Sequence, residues 1–367
     1  MRHGIIARNP GTPFGYYGWG SVARIDAHTL VAVCSGSRIS HICTFGKTEL
    51  FYSYDDGETW SCPNIVNDTV LDDRDAGIVH LGGDKLLLTW FNHPLRYCER
   101  ALREDDARAR IIRAYADLAE SYDTFKQGSH IRLSFDRGFS WTPEQKIEVS
   151  SPHGPCVLND GTILYLGKQM YSDKRLRPKD EYHRHDGTVM AYASTDGGFT
   201  WQERGTIPLP EGICWDNFHE PHAIQLNSGR ILGMIRCQGL PKDSIYSKNF
   251  TMFRTFSDDG GMTWSVPEYT DVSGSPPHLL QHSSGAVICA YGRREQPFGE
   301  RVMISYDNGL TWTRDVELYP GEDSDLGYPA SVELHDGSIL TVYYHKYPGD
   351  KNCSFLYTRW NLKEIDA

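Results

Sequence analysis

Long apolar runs are missing from this 367-residue sequence. None approaches the roughly 20 residues that a membrane-spanning helix needs, so no membrane partner is expected. Paired cysteines are missing too. The nine Cys are odd in number, scattered and without any CxxC spacing, which argues against a disulfide framework or a thiolate zinc site and leaves reduced, mostly buried thiols. Positive charge is scarce. The 37 Lys and Arg face 48 Asp and Glu, a net charge of -11, and such a surface repels nucleic acid and anionic lipid alike. The opening stretch, MRHGIIARNPGTPFGYYGWG, lacks the apolar core of a secretory signal, so the expected location is cytoplasmic. What is present is the composition of a folded chain, 39% apolar and 12% aromatic.

One phrase recurs five times. SYDDGETW begins at Ser53, and SFDRGFSW, STDGGFTW, SDDGGMTW and SYDNGLTW begin at Ser134, Ser194, Ser257 and Ser305. A strand-like run, such as TELFYS or RVMISY, precedes each copy. The pattern S-x-D-x-G-x-(T/S)-W reads as a hairpin turn: Asp accepts local backbone N–H groups, Gly takes the left-handed position, and Trp packs beneath. Five separated turns cannot converge on one substrate. Asp55, Asp136, Asp196, Asp259 and Asp307 are therefore expected to be structural.

A second repeat is an apolar strand, a polar turn and another apolar strand. Its six copies turn near Asp26, Gly83, Gly161, Gly229, Gly285 and Gly337. Six inner hairpins and five boxed outer turns predict an all-β fold, a six-bladed β-propeller filling residues 1–367 as one domain. The last blade has no box; FLYTRWNL supplies its third strand, and the N-terminal GIIAR closes the ring as its outer strand. One segment breaks the rhythm. Residues 97–126 place Ile111, Ile112, Tyr115, Leu118, Ala119 and Tyr122 at helical spacing, predicting a helical insertion in blade two. Its roles range from a solvated surface helix to a pocket lid or the subunit contact of a homo-oligomer. A shorter polar insertion, MYSDKRLRPKDEYHRHDG, interrupts blade three.

In a propeller the residues just before each innermost strand gather at one mouth. Here they are Tyr16, Tyr17 and Trp19; Asp73, Arg74 and Asp75; His153; His219, Glu220 and His222; His278; and Asp325 with Tyr328. Arg38, His93, Lys168, Arg236, Arg293 and His345 leave the second strands toward the same side. A packed axis would not hold so many charges unpaired, so the mouth is expected to bind a polar ligand.

The boxes, six blades and mouth residues resemble the sialidase (neuraminidase) superfamily over nearly the whole chain. FHEPHAIQLNSGRILGMIR resembles the family segment in which a Glu precedes an inner hairpin and an Arg follows it, here Glu220 and Arg236. GYPASVELHDGSILTVYY resembles the segment that opens with the nucleophilic Tyr, here Tyr328. A further substrate-binding Arg would be Arg301, or else Arg293 or Arg294. The resemblance implies an exo-acting retaining glycosidase for a terminal acidic sugar, sialic acid or a related sugar acid, with no cofactor. On that resemblance Tyr328 would be the nucleophile, Glu220 its base, and Asp75 or Asp73 the acid. Arg236, Arg301 and Arg38 would bind the substrate, joined at the mouth by Arg74, Arg293, His153, His219, His222 and His278. Two departures stand out. The family's first carboxylate-binding Arg falls on Gly18, and the loop that carries the family's acid Asp, SGSRISHICTFGKTEL, contains no Asp, leaving His41, Asp73 or Asp75 as acid.

Three other readings start from the same mouth. A polysaccharide lyase acting on uronic acids would pair His153 or His219 with Tyr328 and Arg236. A metal-dependent sugar deacetylase would draw His153, His222 and His278 to one ion. A carbohydrate-binding propeller without catalysis would follow from the missing acid.

Overall fold

The computed structural model describes residues 1–93, 110, 127–169, 187–313 and 315–365. The helix expected over 97–126 and the polar insertion after 169 lie outside the described residues, residue 110 apart.

Six antiparallel sheets follow one another along the chain. Strand β1 (Arg2–Ala7) stands apart in sequence. Blade one is β2 (Tyr16–Arg24), β3 (Leu30–Arg38), β4 (Lys47–Ser53) and β5 (Asn64–Asn67). Blade two is β6 (Asp72–His80), β7 (Leu86–His93), β8 (Gly128–Ser134) and β9 (Gln145–Ile147). In blade three the inner strand is broken into β10 (Val149–Ser150) and β11 (Cys156–Val157), both paired with β12 (Ile163–Gln169); β13 (Val189–Ser194) and β14 (Gln202–Thr206) follow. Blade four is β15 (Phe218–Gln225), β16 (Ile231–Gln238), β17 (Phe250–Ser257) and β18 (Glu268–Tyr269). Blade five is β19 (His278–Gln281), β20 (Val287–Arg293), β21 (Gly299–Ser305) and β22 (Val316–Pro320). Blade six is β23 (Gly327–Glu333), β24 (Ile339–Lys346) and β25 (Cys353–Trp360), and β1 pairs with β25 as its outer strand. The six-bladed propeller read from the repeats is the fold. Its ring closes through the N-terminal strand, which covers the edge that β25 would otherwise expose.

Each box behaves as its composition demands. In the first, the Gly57 N–H donates to Ser53 Oγ at 2.8 Å, and Asp55 accepts from the Thr59 N–H at 2.9 Å and the Thr59 hydroxyl at 2.6 Å. The Trp60 indole then donates back to the Gly57 carbonyl at 3.2 Å. Gly57 has φ +85, and a β-carbon there would lie 2.3 Å from a Leu340 methyl of blade six, so glycine is required twice over. The same Ser–Gly and Asp–Thr or Asp–Ser bonds recur at the other four boxes. None lies at the mouth cavity described below.

Apolar side chains of adjacent blades form the core between them. Ile6, Leu30, Ala32, Phe51, Leu340, Val342, Phe355 and Tyr357 join blades six and one, and like clusters fill the other junctions. The described cysteines are free thiols. No helix among the described residues is long and apolar enough to cross a membrane. This packing fixes the inner strands, and with them the residues at their ends.

Candidate active site

Four inner strands begin with the same irregularity. The pairing register slips after Gly18 in β2, after Arg74 in β6, after His219 in β15 and after Gly327 in β23. At each slip a non-glycine residue takes a positive φ: Trp19 at 52°, Asp75 at 52°, Glu220 at 26° and Tyr328 at 53°. Such backbone costs about 1–3 kcal/mol per residue, and it persists where the surroundings over-determine it. Each bulge re-aims one side chain. Asp75, Glu220 and Tyr328 are thereby brought to one cavity of about 180 Å³.

The centre of the cavity is a bonded trio. The Tyr328 hydroxyl donates to Glu220 Oε1 at 2.7 Å and accepts from Arg236 Nη1 at 3.0 Å. Arg236 also pairs with the other Glu220 oxygen. Burial, then the Glu220 charge, push the Tyr328 phenol well above its ordinary value. Burial acts to raise Glu220 as well, but the Arg236 guanidinium and the bonds from Tyr328 and Arg236 outweigh it and keep this carboxyl low and ionised. The result is a neutral phenol bonded to a ready base. Lys168 anchors the arrangement by donating to the backbone carbonyls of Trp215 at 2.8 Å and Phe218 at 2.6 Å, two residues before Glu220. Burial lowers this lysine to about 8.

Arg294 is the second guanidinium at this centre. Its Nε donates to the Leu326 carbonyl at 2.9 Å and its Nη2 to the Tyr344 hydroxyl at 2.7 Å, and its carbon lies 5.5 Å from the Tyr328 ring centroid. Arg301 and Arg293 do not contribute. Arg301 is held on the blade flank by Asp315 at 2.6 Å and Glu317 at 2.9 Å, and Arg293 by Asp315 at 2.9 Å. Along β20 and β21 these side chains meet acids at the start of the outer strand, Asp315 just before β22 and Glu317 within it, whereas Arg294 is the first residue past β20 and turns inward.

In blade one the residue sharing the left-handed bulge with Tyr328, Glu220 and Asp75 is Trp19, not Gly18. Its indole is fully buried beside two cations, with Arg74 at 3.8 Å and Arg38 at 4.5 Å from the ring centroid. Arg38 is itself wholly buried, bonded to Asp72 at 2.6 Å and to the His41 carbonyl at 2.8 Å, so it supports the mouth without lining it. Arg74 does line the cavity. Asp73 does not. Its carboxylate accepts from the Thr69 N–H and hydroxyl, both at 2.9 Å, and from Asn92, which turns it away from the mouth. Asp75 therefore stands as the acidic residue of blade two. Burial, then the neighbouring Glu220 charge, raise it to about 7.

His219 lines the cavity, but His153, His222 and His278 do not. These three are buried together, with ring centroids 4.5–5.8 Å apart. His222 Nδ1 accepts the Leu279 N–H at 3.0 Å, and His278 Nδ1 accepts the Ser331 N–H at 3.2 Å. A neutral ring so bonded carries its proton on Nε2 and has no lone pair left for a cation. Among the described residues no group of His, Cys, Asp or Glu is arranged to hold a metal ion. The metal-dependent reading does not fit these donors.

Other lining residues, Phe91 among them, carry no motif. Gln238 accepts from Arg236 Nε at 3.1 Å; it lies two positions along β16 on the same face, a signal that strand alternation carries. Ser150, Ser151 and Pro152 reach the cavity because the blade-three inner strand is interrupted there, which no motif announces.

Comparison with known proteins agrees with this architecture. Residues 112–342 match the BNR repeat-like domain. A sialidase of Clostridium perfringens is 24% identical over 237 residues, covering 57% of this chain and 59% of that protein. A sialidase of Vibrio cholerae serotype O1 is 24% identical over 218 residues, covering 49% of this chain and 27% of that protein. The chain thus spans less than two-thirds of the length of these relatives. A protein of unknown function from Dyadobacter fermentans superposes with a TM-score of 0.75 at 19% identity, covering 98% of both chains. The NanB sialidase of Streptococcus pneumoniae superposes with a TM-score of 0.70 at 14% identity, covering 99% of this chain and 71% of that one. At these identities the superpositions establish the fold alone. With five boxes, six blades and a matched domain over most of its length, the chain belongs to the BNR repeat-like family and is a divergent member of the sialidase superfamily.

Proposed function

We propose that this protein is a retaining exo-glycosidase that removes a terminal acidic sugar, sialic acid or a related sugar acid, through a covalent intermediate on Tyr328. The bonded trio of Tyr328, Glu220 and Arg236 carries this reading. As the Tyr328 oxygen attacks the anomeric carbon, its proton passes to Glu220 Oε1, 2.7 Å away. A neutral phenol suits an anomeric centre that bears a carboxylate, where an Asp or Glu nucleophile would be repelled; tyrosine nucleophiles are the known sialidase exception to the two-carboxylate scheme. Arg236 and Arg294 bind the sugar carboxylate through paired N–H donors. Trp19 fills the bulge of blade one, so blade one supplies no guanidinium to this clamp.

The test is cleavage of a chromogenic α-sialoside and a panel of acidic glycosides by wild type and Tyr328→Phe. Release of the acidic sugar by wild type and its loss in the variant support the reading. A 4,5-unsaturated product absorbing in the ultraviolet would overturn it in favour of elimination. Binding of the acidic sugar without turnover would overturn it in favour of a carbohydrate-binding propeller.

A further inference from the structure

A hydrolase of this kind needs a second proton-transfer group, one that reaches the oxygen of the departing alcohol. The loop between β3 and β4 brings His41 to the cavity mouth. Its ring packs edge-on against the Trp19 indole, with centroids 4.8 Å apart. Its Nδ1 lies 3.0 Å from the Tyr16 hydroxyl and 3.4 Å from Asp325 Oδ1, and the Tyr16 hydroxyl donates to that same Asp325 oxygen at 2.9 Å. Because Tyr16 gives its proton to Asp325, its oxygen is the acceptor for an N–H on His41 Nδ1. The other nitrogen, Nε2, has no hydrogen-bond partner among the described residues. The backbone is pinned as well: the His41 carbonyl accepts from Arg38 at 2.8 Å and from Arg74 at 3.0 Å. A histidine held at one nitrogen by a carboxylate, fixed at its backbone and free at the other nitrogen is built for proton transfer.

We propose that His41 is the acid/base of this site, with Asp325 and Tyr16 as its positioning residues. The proposal rests on the reading of Tyr328 as nucleophile. The first step starts from the His41 imidazolium, with a proton on each nitrogen; burial lowers this group to about 4, so that form is favoured at acid pH. The bond from the anomeric carbon to the departing oxygen breaks, that oxygen takes the proton from His41 Nε2, the Tyr328 oxygen bonds to carbon, and the phenolic proton goes to Glu220. In the second step water bonds to the anomeric carbon and gives its proton to His41 Nε2. The bond to Tyr328 breaks, and Glu220 returns the proton to the phenol. One water is consumed, and the enzyme is restored.

Position favours His41 over Asp75. Asp75 is 4% exposed and shares the cavity floor with Glu220, whereas 43% of the His41 side chain is exposed. An exo-acting enzyme holds its sugar inward and releases the alcohol outward, so the proton donor stands on the rim. Asp75, which burial and the Glu220 charge raise to about 7, then faces the sugar itself.

The experiment compares an alkyl and a nitrophenyl glycoside of the same acidic sugar. A nitrophenolate leaves without a proton, so loss of the acid falls on the alkyl substrate. His41→Gln is expected to lose about 10²- to 10⁴-fold in kcat/KM on the alkyl glycoside and less than about tenfold on the nitrophenyl glycoside. Asp325→Asn shows the same split at smaller size, and Asp325→Glu restores part of the loss. Added imidazole recovers alkyl-glycoside turnover in His41→Ala, which keeps the test open should the Gln variant fold poorly. Equal loss on both substrates, no loss on either, or the split appearing in Asp75→Asn in place of His41→Gln would overturn the proposal. An inert wild type, or an active Tyr328→Phe, would instead overturn the nucleophile reading beneath it.

Discussion

The Tyr328 hydroxyl donates to Glu220 Oε1 at 2.7 Å although 108 positions of chain separate the two residues. Blades four and six deliver them, each from a left-handed bulge at the start of an inner strand. The ring brings sequence-distant residues together, and each bulge sets the aim of one side chain.

That contact separates catalysis from stability. Tyr328→Phe removes one oxygen and leaves the Arg236–Glu220 pair intact, so the melting temperature should change little while kcat falls on the order of 10³-fold or more. Glu220→Gln removes the base and strips Arg236 of its counter-charge, so activity and melting temperature should fall together. Steady-state kinetics and thermal melts of both variants check the distinction.

Arg294 and Arg301 make a matched pair of opposites. Arg294 lines the cavity beside Tyr328, while Arg301 is held by Asp315 and Glu317 on the blade flank. Arg294→Ala should raise KM for an acidic sugar about 10- to 100-fold, the loss expected for one charge-assisted hydrogen bond. Arg301→Ala should lower the melting temperature and leave KM unchanged.

Trp19 closes off one route back to a three-arginine clamp. With Arg74 at 3.8 Å and Arg38 at 4.5 Å from its ring, a third guanidinium at this position would meet two like charges in a buried site. Trp19→Arg should therefore destabilise the protein by several kcal/mol and bring no gain in affinity for acidic sugars. Denaturant melts and a KM measurement decide it.

The fold was legible because it repeats. Five boxes and six inner hairpins each carry a local turn chemistry, and a turn needs only its own few residues to be recognised. Glu220, Arg236 and Tyr328 were legible because they sit at motif ends. Arg301, Arg293, Arg38 and Asp73 misled for one reason: a sequence shows that a charge is near the mouth, but not which way its strand face turns or which acid meets it. The histidines misled similarly. Their positions do converge, but the backbone N–H groups that occupy two of their Nδ1 atoms come from neighbouring blades, and no spacing along the chain records that. Trp19 was displaced by one residue because the register slip that aims it is a three-dimensional property of β2.

The boxes should contribute to acid unfolding. Hydrogen bonds from the Thr hydroxyl and backbone N–H groups hold Asp196, Asp259 and Asp307 at about 2. A carboxyl with a folded-state value below its unfolded value of about 3.9 stabilises the fold above the unfolded value, and this stabilisation is lost as pH falls through the folded one. The boxes' share of the stability should therefore be constant from neutral pH down to about 5 and be lost between about 4 and 2. Replacing the three acids by Asn should lower the midpoint at neutral pH, where the bonds to ionised carboxylates are lost, and flatten the acid slope, because three of the titrating groups are gone. Since none of these boxes reaches the cavity, kcat and KM at pH 7 should be unchanged. A melting series from pH 2 to 7 on wild type and the triple variant, read beside the neutral-pH kinetics, tests whether the repeated phrase carries stability alone.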